Sequence, residues 1–200
     1  MPTPDPLPCP LVLASTSPFR RTLLERLGLP FTTLAPEVDE TPLPGEPASE
    51  LVQRLARLKA AAGAAAQPGP ALVIGSDQVA VLDGEILGKP GNRERAQRQL
   101  TRLSGREVEF LTGLCLHHAG SGRMQLAVVP FRVGFRELTP DEIGRYLERE
   151  RPFGCAGSFR SEALGISLFR YLRGDDPTAL IGLPLIRLAE MLRAEGVTLP

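Results

Sequence analysis

The chain has no tryptophan, only two histidines and three cysteines, and no net charge, with 23 Lys and Arg against 23 Asp and Glu in 200 residues. Each shortage excludes something. Balanced charge without basic runs argues against a surface that tracks a nucleic-acid backbone, which needs a basic excess. Cys9, Cys115 and Cys155 are odd in number and lack CxxC spacing, so neither a disulfide framework nor a structural zinc site is indicated. The two histidines, His117 and His118, are adjacent and read as surface residues of a hairpin loop. They offer neither a set of His ligands nor a partner for a serine nucleophile, so catalysis falls to carboxylates, Lys and Arg. Long apolar runs are also missing: none reaches the roughly 20 residues of a membrane span. Met1-Pro2-Thr3-Pro4-Asp5-Pro6 shows neither a basic n-region nor an apolar h-region, so a cytoplasmic protein with no membrane or nucleic-acid partner is expected.

What is present suffices for a core, since 42% of the residues are apolar. Proline, at 20 residues, is about twice its usual ~5% share, and it is scattered rather than run together. Leu11 to Ala14 reads as a short buried strand. Phe19, Leu23, Leu24 and Leu27 recur at helical spacing until Gly28. A strand near Phe31 to Leu34, a helix from Ala48 to Ala66 and an apolar strand Ala71 to Ile74 follow. That strand is expected to end in the turn-like Gly75-Ser76-Asp77-Gln78. Val79 to Leu82, Asp83-Gly84 and Glu85 to Leu87 read as a hairpin on a primed turn. A helix over 92–103, two longer strands over 107–116 and 124–136, a capping box at Thr139-Pro140-Asp141-Glu142 and a final helix around Leu185 to Leu192 complete the chain. The alternation predicts an α/β fold with a mixed twisted sheet, flanking helices and two lobes around a cleft. Residues 1–9 are expected to be an N-terminal extension and 10–200 a single domain.

Several stretches carry chemistry, each with a plainer alternative. Ser15-Thr16-Ser17-Pro18-Phe19-Arg20-Arg21 sets hydroxyls and two guanidiniums at a strand-to-helix junction, where backbone amides and a helix N-terminus favour anions. The same residues suit a helix cap followed by solvated arginines. Lys59 falls inside the stripe of Leu51, Val52, Leu55, Leu58 and Ala62. It either snorkels to the rim or meets an anion in a cleft. Asp77, after an apolar strand, is placed to act as a general base or to hold a divalent metal, or else it caps a turn. Glu37, Asp39 and Glu40 pose the same choice between Mg²⁺ ligands and a solvated loop, and Lys89 adds a cation in Gly88-Lys89-Pro90. Phosphate-type donors and isolated carboxylates without a Walker A loop point to metal-assisted nucleotide phosphate chemistry.

Leu13 to Arg21, Glu37-Val38-Asp39-Glu40, Leu55 to Ala60, Gly75-Ser76-Asp77-Gln78 and Gly88-Lys89-Pro90 resemble, in order, the motifs of the Maf family of nucleoside triphosphate pyrophosphatases. Leu103-Ser104-Gly105, Ala156-Gly157-Ser158-Phe159 and Ile181-Gly182-Leu183-Pro184 extend the resemblance over residues 9–197. It implies a Maf-like fold around a nucleotide cleft and hydrolysis of a triphosphate to monophosphate and diphosphate with a divalent cation, Mg²⁺ or Mn²⁺. Asp77-Gln78 with Arg160-Ser161-Glu162 looks like the YceF-type branch, for which the implied substrate is 7-methyl-GTP. By position the resemblance makes Asp77 the proton acceptor. It makes Phe19, Gln78 and Glu162 the specificity residues, and Ser15, Arg20, Arg21, Lys59 and Lys89 the phosphate-facing set. Glu40 and Asp77 become the metal-side acids. Phe19 departs from the Trp of that branch but keeps a π-face for a cationic methylated base. The alternatives are the same chemistry on dTTP, UTP or CTP, or a nucleotide-sensing regulator of division without turnover. A homodimer is left open.

Overall fold

The computed structural model describes residues 7–200, which share one seven-stranded mixed sheet. In chain order the elements are β1 (Leu11–Ala14), α1 (Pro18–Glu25), β2 (Thr32–Leu34), α2 (Ala48–Ala65), β3 (Leu72–Leu82), β4 (Glu85–Leu87), α3 (Arg93–Leu103), β5 (Glu107–His118), β6 (Met124–Phe135), α4 (Pro140–Glu150), β7 (Phe169–Arg173), α5 (Pro177–Ile181) and α6 (Leu185–Ala194). The strand order is β2-β1-β3-β5-β6-β7, with β4 also on β3. Pairings of β1 with β2 and β3 are parallel, and the rest are antiparallel. Of the expected N-terminal extension, residues 1–6 lie outside the described residues. Leu7 and Cys9 pack against the core beside α1 and α6.

The pleat of β3 and β5 explains the two lobes. Side chains alternate between faces, and on one face Leu72 and Ile74 of β3 with Leu114 and Leu116 of β5 join α1 and α6 in one apolar cluster. Ala80 and Leu82 with Val108 and Phe110, on the same face, join α3 and α4 in another. Between them the pleat carries Ser76, Gln78 and Thr112, which are polar. The opposite face is covered by α2, whose Leu51, Val52 and Leu55 pack on Val79, and whose Ala56 and Ala60 pack on Cys115.

One expectation is corrected here. Gly75-Ser76-Asp77-Gln78 is not a turn: β3 runs unbroken through it, with Asp77 opposite Gly113 and Gln78 opposite Thr112. Turn-forming residue types sit in this strand because of its neighbour α2. A Cβ on Gly75 would lie 2.2 Å from the Ala56 carbonyl oxygen, and one on Gly113 would lie 2.1 Å from that of Val52. The hairpin turn is as expected, with Asp83 and Gly84 both at positive φ. His117 and His118 fall inside the end of β5, half-buried, rather than in the loop beyond it.

On its β1 side, β3 pairs with β1 only through Leu72 to Ile74 and with β4 only from Ala80 onward. Residues 75–79 therefore have no strand neighbour on that edge. Asp77 and Gln78 project to opposite faces of the strand, and both reach the cleft that opens at this gap.

Candidate active site

The cleft has a volume of about 380 Å³ and is lined by Ser15, Phe19, Arg20, Glu40, Lys59, Asp77, Gln78, Lys89 and Glu162 among others. Nine of the ten residues expected at the site are thus brought together. Arg21 is not. It is exposed and donates to Glu25 at 3.2 Å, because one step along a helix turns a side chain by about 100°.

The start of α1 supplies part of the lining. Ser15, at the end of β1, is buried and its Oγ accepts from Ser17 N–H at 3.1 Å. Ser17 is the N-cap of α1, accepting from Arg20 N–H at 3.4 Å, with Pro18 in the first turn. The hydroxyl-rich stretch is therefore both a cap and a cleft wall. Arg20 donates from Nε to the Gly182 carbonyl at 2.8 Å. Burial pulls its guanidinium below the ordinary arginine range, against the opposing fields of Asp77 and Glu40.

Lys59 is only 6% exposed and does not snorkel. Its Nζ lies 2.6 Å from Asp77 Oδ1 and 2.6 Å from Glu40 Oε1. Asp77 is 9% exposed, and its second oxygen has no hydrogen-bond partner among the described residues. Glu40 stands on the β2–α2 loop with its side chain 56% exposed. The Lys59 hydrogen bond, helped by the fields of Lys59, Lys89 and Arg20, holds its carboxyl below the usual glutamate range. That loop is fastened to α2 by a two-pronged ion pair: Arg54 Nε to Glu46 Oε1 at 2.5 Å and Nη2 to Oε2 at 2.7 Å. Asp39 accepts from Thr41 N–H at 2.9 Å and, like Glu37, stays outside the cleft, so Glu40 is the one member of the acidic group that lines it.

No cluster of three or more His, Cys, Asp or Glu side chains suited to a metal occurs among the described residues. Two carboxylates converging on one ammonium at an open cleft nevertheless fit Mg²⁺ or Mn²⁺. Mg²⁺ is commonly held by one or two carboxylates, with substrate phosphates and water completing the shell.

Gln78 and Glu162 add acceptors to the lining. Gln78 Nε2 donates to Thr112 Oγ1 at 3.0 Å and to the carbonyls of Ala179 and Leu180 at 2.7 and 3.1 Å. The amide nitrogen is thereby engaged, and Oε1 is the group left for a ligand. Phe19 is half-buried on the cleft wall. It is not part of the core, which takes Leu23 and Leu24 from the same helix. Glu162 follows a backbone fixed by Phe159, which packs edge-on against Phe110, Phe135 and Phe169 at centroid distances of 5.3, 5.5 and 4.9 Å.

Sequence reasoning missed the part played by α5. The carbonyls at its C-terminal end hold Gln78 through Ala179 and Leu180, and Arg20 and Ser76 through Gly182, where φ is +118°. Buried Asp176 caps the helix by accepting from Thr178 N–H and also accepts from Ile186 N–H at 2.8 Å, tying α5 to α6. Its traces in the sequence are Asp176-Pro177, a cap followed by a first-turn proline, and Ile181-Gly182-Leu183-Pro184, where a Gly-x-Pro marks a helix stop.

The chain matches the family described as Maf-like protein over residues 10–195. It is 58% identical to a protein of Nitrosococcus oceani named 7-methyl-GTP pyrophosphatase, over 96% of each chain. It is also 58% identical to one of the same name from Pseudomonas aeruginosa, over 95% of this chain and 98% of that one. Among solved structures, a nucleoside-triphosphatase, dITP/XTP pyrophosphatase, from Mycobacterium abscessus is similar with a TM-score of 0.46 and 16% identity, covering 92% of this chain and 97% of that one.

Proposed function

The chain belongs to the Maf-like protein family, and on that footing we propose that it hydrolyses 7-methyl-GTP to the monophosphate and diphosphate, clearing a modified nucleotide. The observation that carries this reading is one cleft lined both by cations, Arg20, Lys59 and Lys89, and by the acceptors Gln78 Oε1 and Glu162. A guanine edge offers N1–H and an N2 amino group, both donors, whereas uracil and thymine offer one donor between two acceptors. Two protein acceptors suit the first pattern, and unpaired polar groups penalise the second. Phe19 supplies a π-face for the positive charge that N7 methylation puts on the base. The names of the relatives support the same substrate.

In this reading Arg20, Lys89 and the third N–H of Lys59 bind the triphosphate. Asp77 takes a proton from water on its free oxygen. The water oxygen joins phosphorus as the α,β-anhydride bridge breaks, and diphosphate leaves. Lys59 fixes the other oxygen of Asp77 and so sets the direction in which the free one points. Glu40 and Asp77 would hold a divalent cation, which when bound supplies further neutralisation of phosphate charge.

The experiment is a diphosphate-release panel over 7-methyl-GTP, GTP, dTTP, UTP and CTP, with Mg²⁺ and with EDTA. Release is expected to be fastest from 7-methyl-GTP and to fail in EDTA. Faster turnover of a pyrimidine would refute the substrate, and no turnover at all would leave a sensing protein. Asp77→Asn is expected to lose roughly 10²–10⁴-fold in rate while nucleotide still binds.

A further inference from the structure

Two hydroxyls lie between the apolar clusters of the two lobes, Ser76 on β3 and Thr112 on β5. Both are fully buried, and neither lines the cleft. Each gives its single proton to a carbonyl of α5 or its cap. Ser76 Oγ donates to the Gly182 oxygen at 3.0 Å, and Thr112 Oγ1 to the Ala179 oxygen at 2.9 Å. Each of those carbonyls also accepts from a side chain that does line the cleft. The Gly182 oxygen accepts from Arg20 Nε at 2.8 Å, and the Ala179 oxygen from Gln78 Nε2 at 2.7 Å. The two relays, Ser76 to Gly182 to Arg20 and Thr112 to Ala179 to Gln78, have no side chain in common.

The direction of each relay follows from which groups can donate. A carbonyl only accepts, so Arg20 turns Nε toward Gly182. Its two Nη groups then have no acceptor among the described residues and are available to phosphate oxygens. Thr112 has given its proton to Ala179, so it meets Gln78 Nε2, 3.0 Å away, with a lone pair. A reversed amide would set Gln78 Oε1 against the carbonyls of Ala179 and Leu180, where acceptor faces acceptor. We propose that Ser76 and Thr112 are positioning residues with separate tasks. Ser76, through Gly182, aims Arg20 at the phosphates. Thr112, directly and through Ala179, keeps the acceptor of Gln78 turned toward the base. The proposal rests on the reading that the cleft takes a methylated guanosine triphosphate, and adds how its phosphate and base contacts are set independently of one another.

The test compares wild type with Ser76→Ala, Thr112→Val and Thr112→Ser. One readout is inhibition by inorganic triphosphate, which carries phosphates without a base. The other is the ratio of kcat/KM for 7-methyl-GTP to that for UTP, two substrates whose phosphates are the same. Ser76→Ala should weaken triphosphate inhibition about five- to tenfold, raise KM for both nucleotides and leave their ratio unchanged. Thr112→Val should leave triphosphate inhibition unchanged and lower the ratio by a similar factor, and Thr112→Ser, which restores the hydroxyl, should recover it. Thr112→Ala takes the place of the valine variant if that one does not fold. Each variant without its hydroxyl loses a buried hydrogen bond, so a merely structural role would lower Tm in both and move both readouts alike. That outcome would overturn the proposal, and so would unchanged readouts in both variants. A fall in kcat alone in Ser76→Ala would tie Ser76 to its neighbour Asp77 and overturn its task toward Arg20. A wild type without preference for 7-methyl-GTP would refute the substrate reading before any variant is compared, and the task of Thr112 with it, while Ser76 is still judged on inorganic triphosphate.

Discussion

Gly75→Ala is the sharpest probe of how the catalytic centre is assembled. The new Cβ would lie 2.2 Å from the Ala56 carbonyl oxygen, 2.6 Å from the Ala60 amide nitrogen and 3.0 Å from the Ala60 Cβ. The two closest atoms are helix backbone, so no rotamer change relieves the clash. Restoring a C···O separation of about 3.3 Å requires α2 to retreat by about 1 Å. Two consequences follow from one displacement. Overpacking of this kind costs about 1–3 kcal/mol, which for a domain of this size lowers Tm by roughly 2–4 °C per kcal/mol. The same retreat draws Lys59 away from Asp77, stretching a 2.6 Å contact beyond hydrogen-bonding range. Urea denaturation and diphosphate release should therefore fall together, and a crystal structure of the variant should show a lengthened Lys59–Asp77 contact. A Gly75→Ala protein with wild-type midpoint and wild-type turnover would refute the claim that the glycine is there to admit the helix.

Gly144, inside α4, has nothing within 4 Å of an added Cβ, so Gly144→Ala should stabilise the protein by about 0.5–1 kcal/mol and leave turnover unchanged; a lower Tm would contradict this. Asp176→Asn turns an acceptor toward a donor at one of two backbone amides and should cost about 1–3 kcal/mol. Because α5 steadies both Gln78 and Arg20, KM should rise as well, and a stability loss with unaltered KM would separate the helix from the site. The Glu46 carboxyl is held at about 2 by Arg54, below its ordinary value, so its contribution is complete above the ordinary glutamate range and is lost as pH falls through about 2. The stability gap between wild type and Glu46→Gln should accordingly stay constant from pH 7 to 5 and close only near pH 2; closure between pH 5 and 4 would show that the Arg54 clamp is absent in solution.

Much of the site was legible because motif spacing survives folding. Lys59 stood out as a charge in an apolar helical stripe, and the structure resolves its alternatives in favour of an ionic partner, two carboxylates on one ammonium. Helix caps and the Asp83-Gly84 turn were readable because their chemistry is local. What escaped depends on contacts distant in sequence. Gly75 resembles a turn residue unless α2 is known to press on it. Arg21 and Arg20 are equivalent as letters, and only the direction of α1 separates them. The strand β7, Phe-Arg-Tyr-Leu-Arg at a sheet edge, lacks clean apolar alternation. The five-residue helix α5 is too short to leave a period, and its use lies in carbonyls that every residue possesses.

The unpaired stretch of β3 also has a mechanical meaning. Among the described residues the two lobes are joined by no flexible linker. The strands β3, β5 and β6 each run through both, hydrogen-bonded to one another across the level of the cleft. Opening or closing the lobes would bend three coupled strands at once, so the width of the nucleotide slot is set by the twist of the sheet. Adjustment to different nucleotides is left to the side chains that line the slot, and the enzyme should meet its substrate as a stiff jaw with movable teeth.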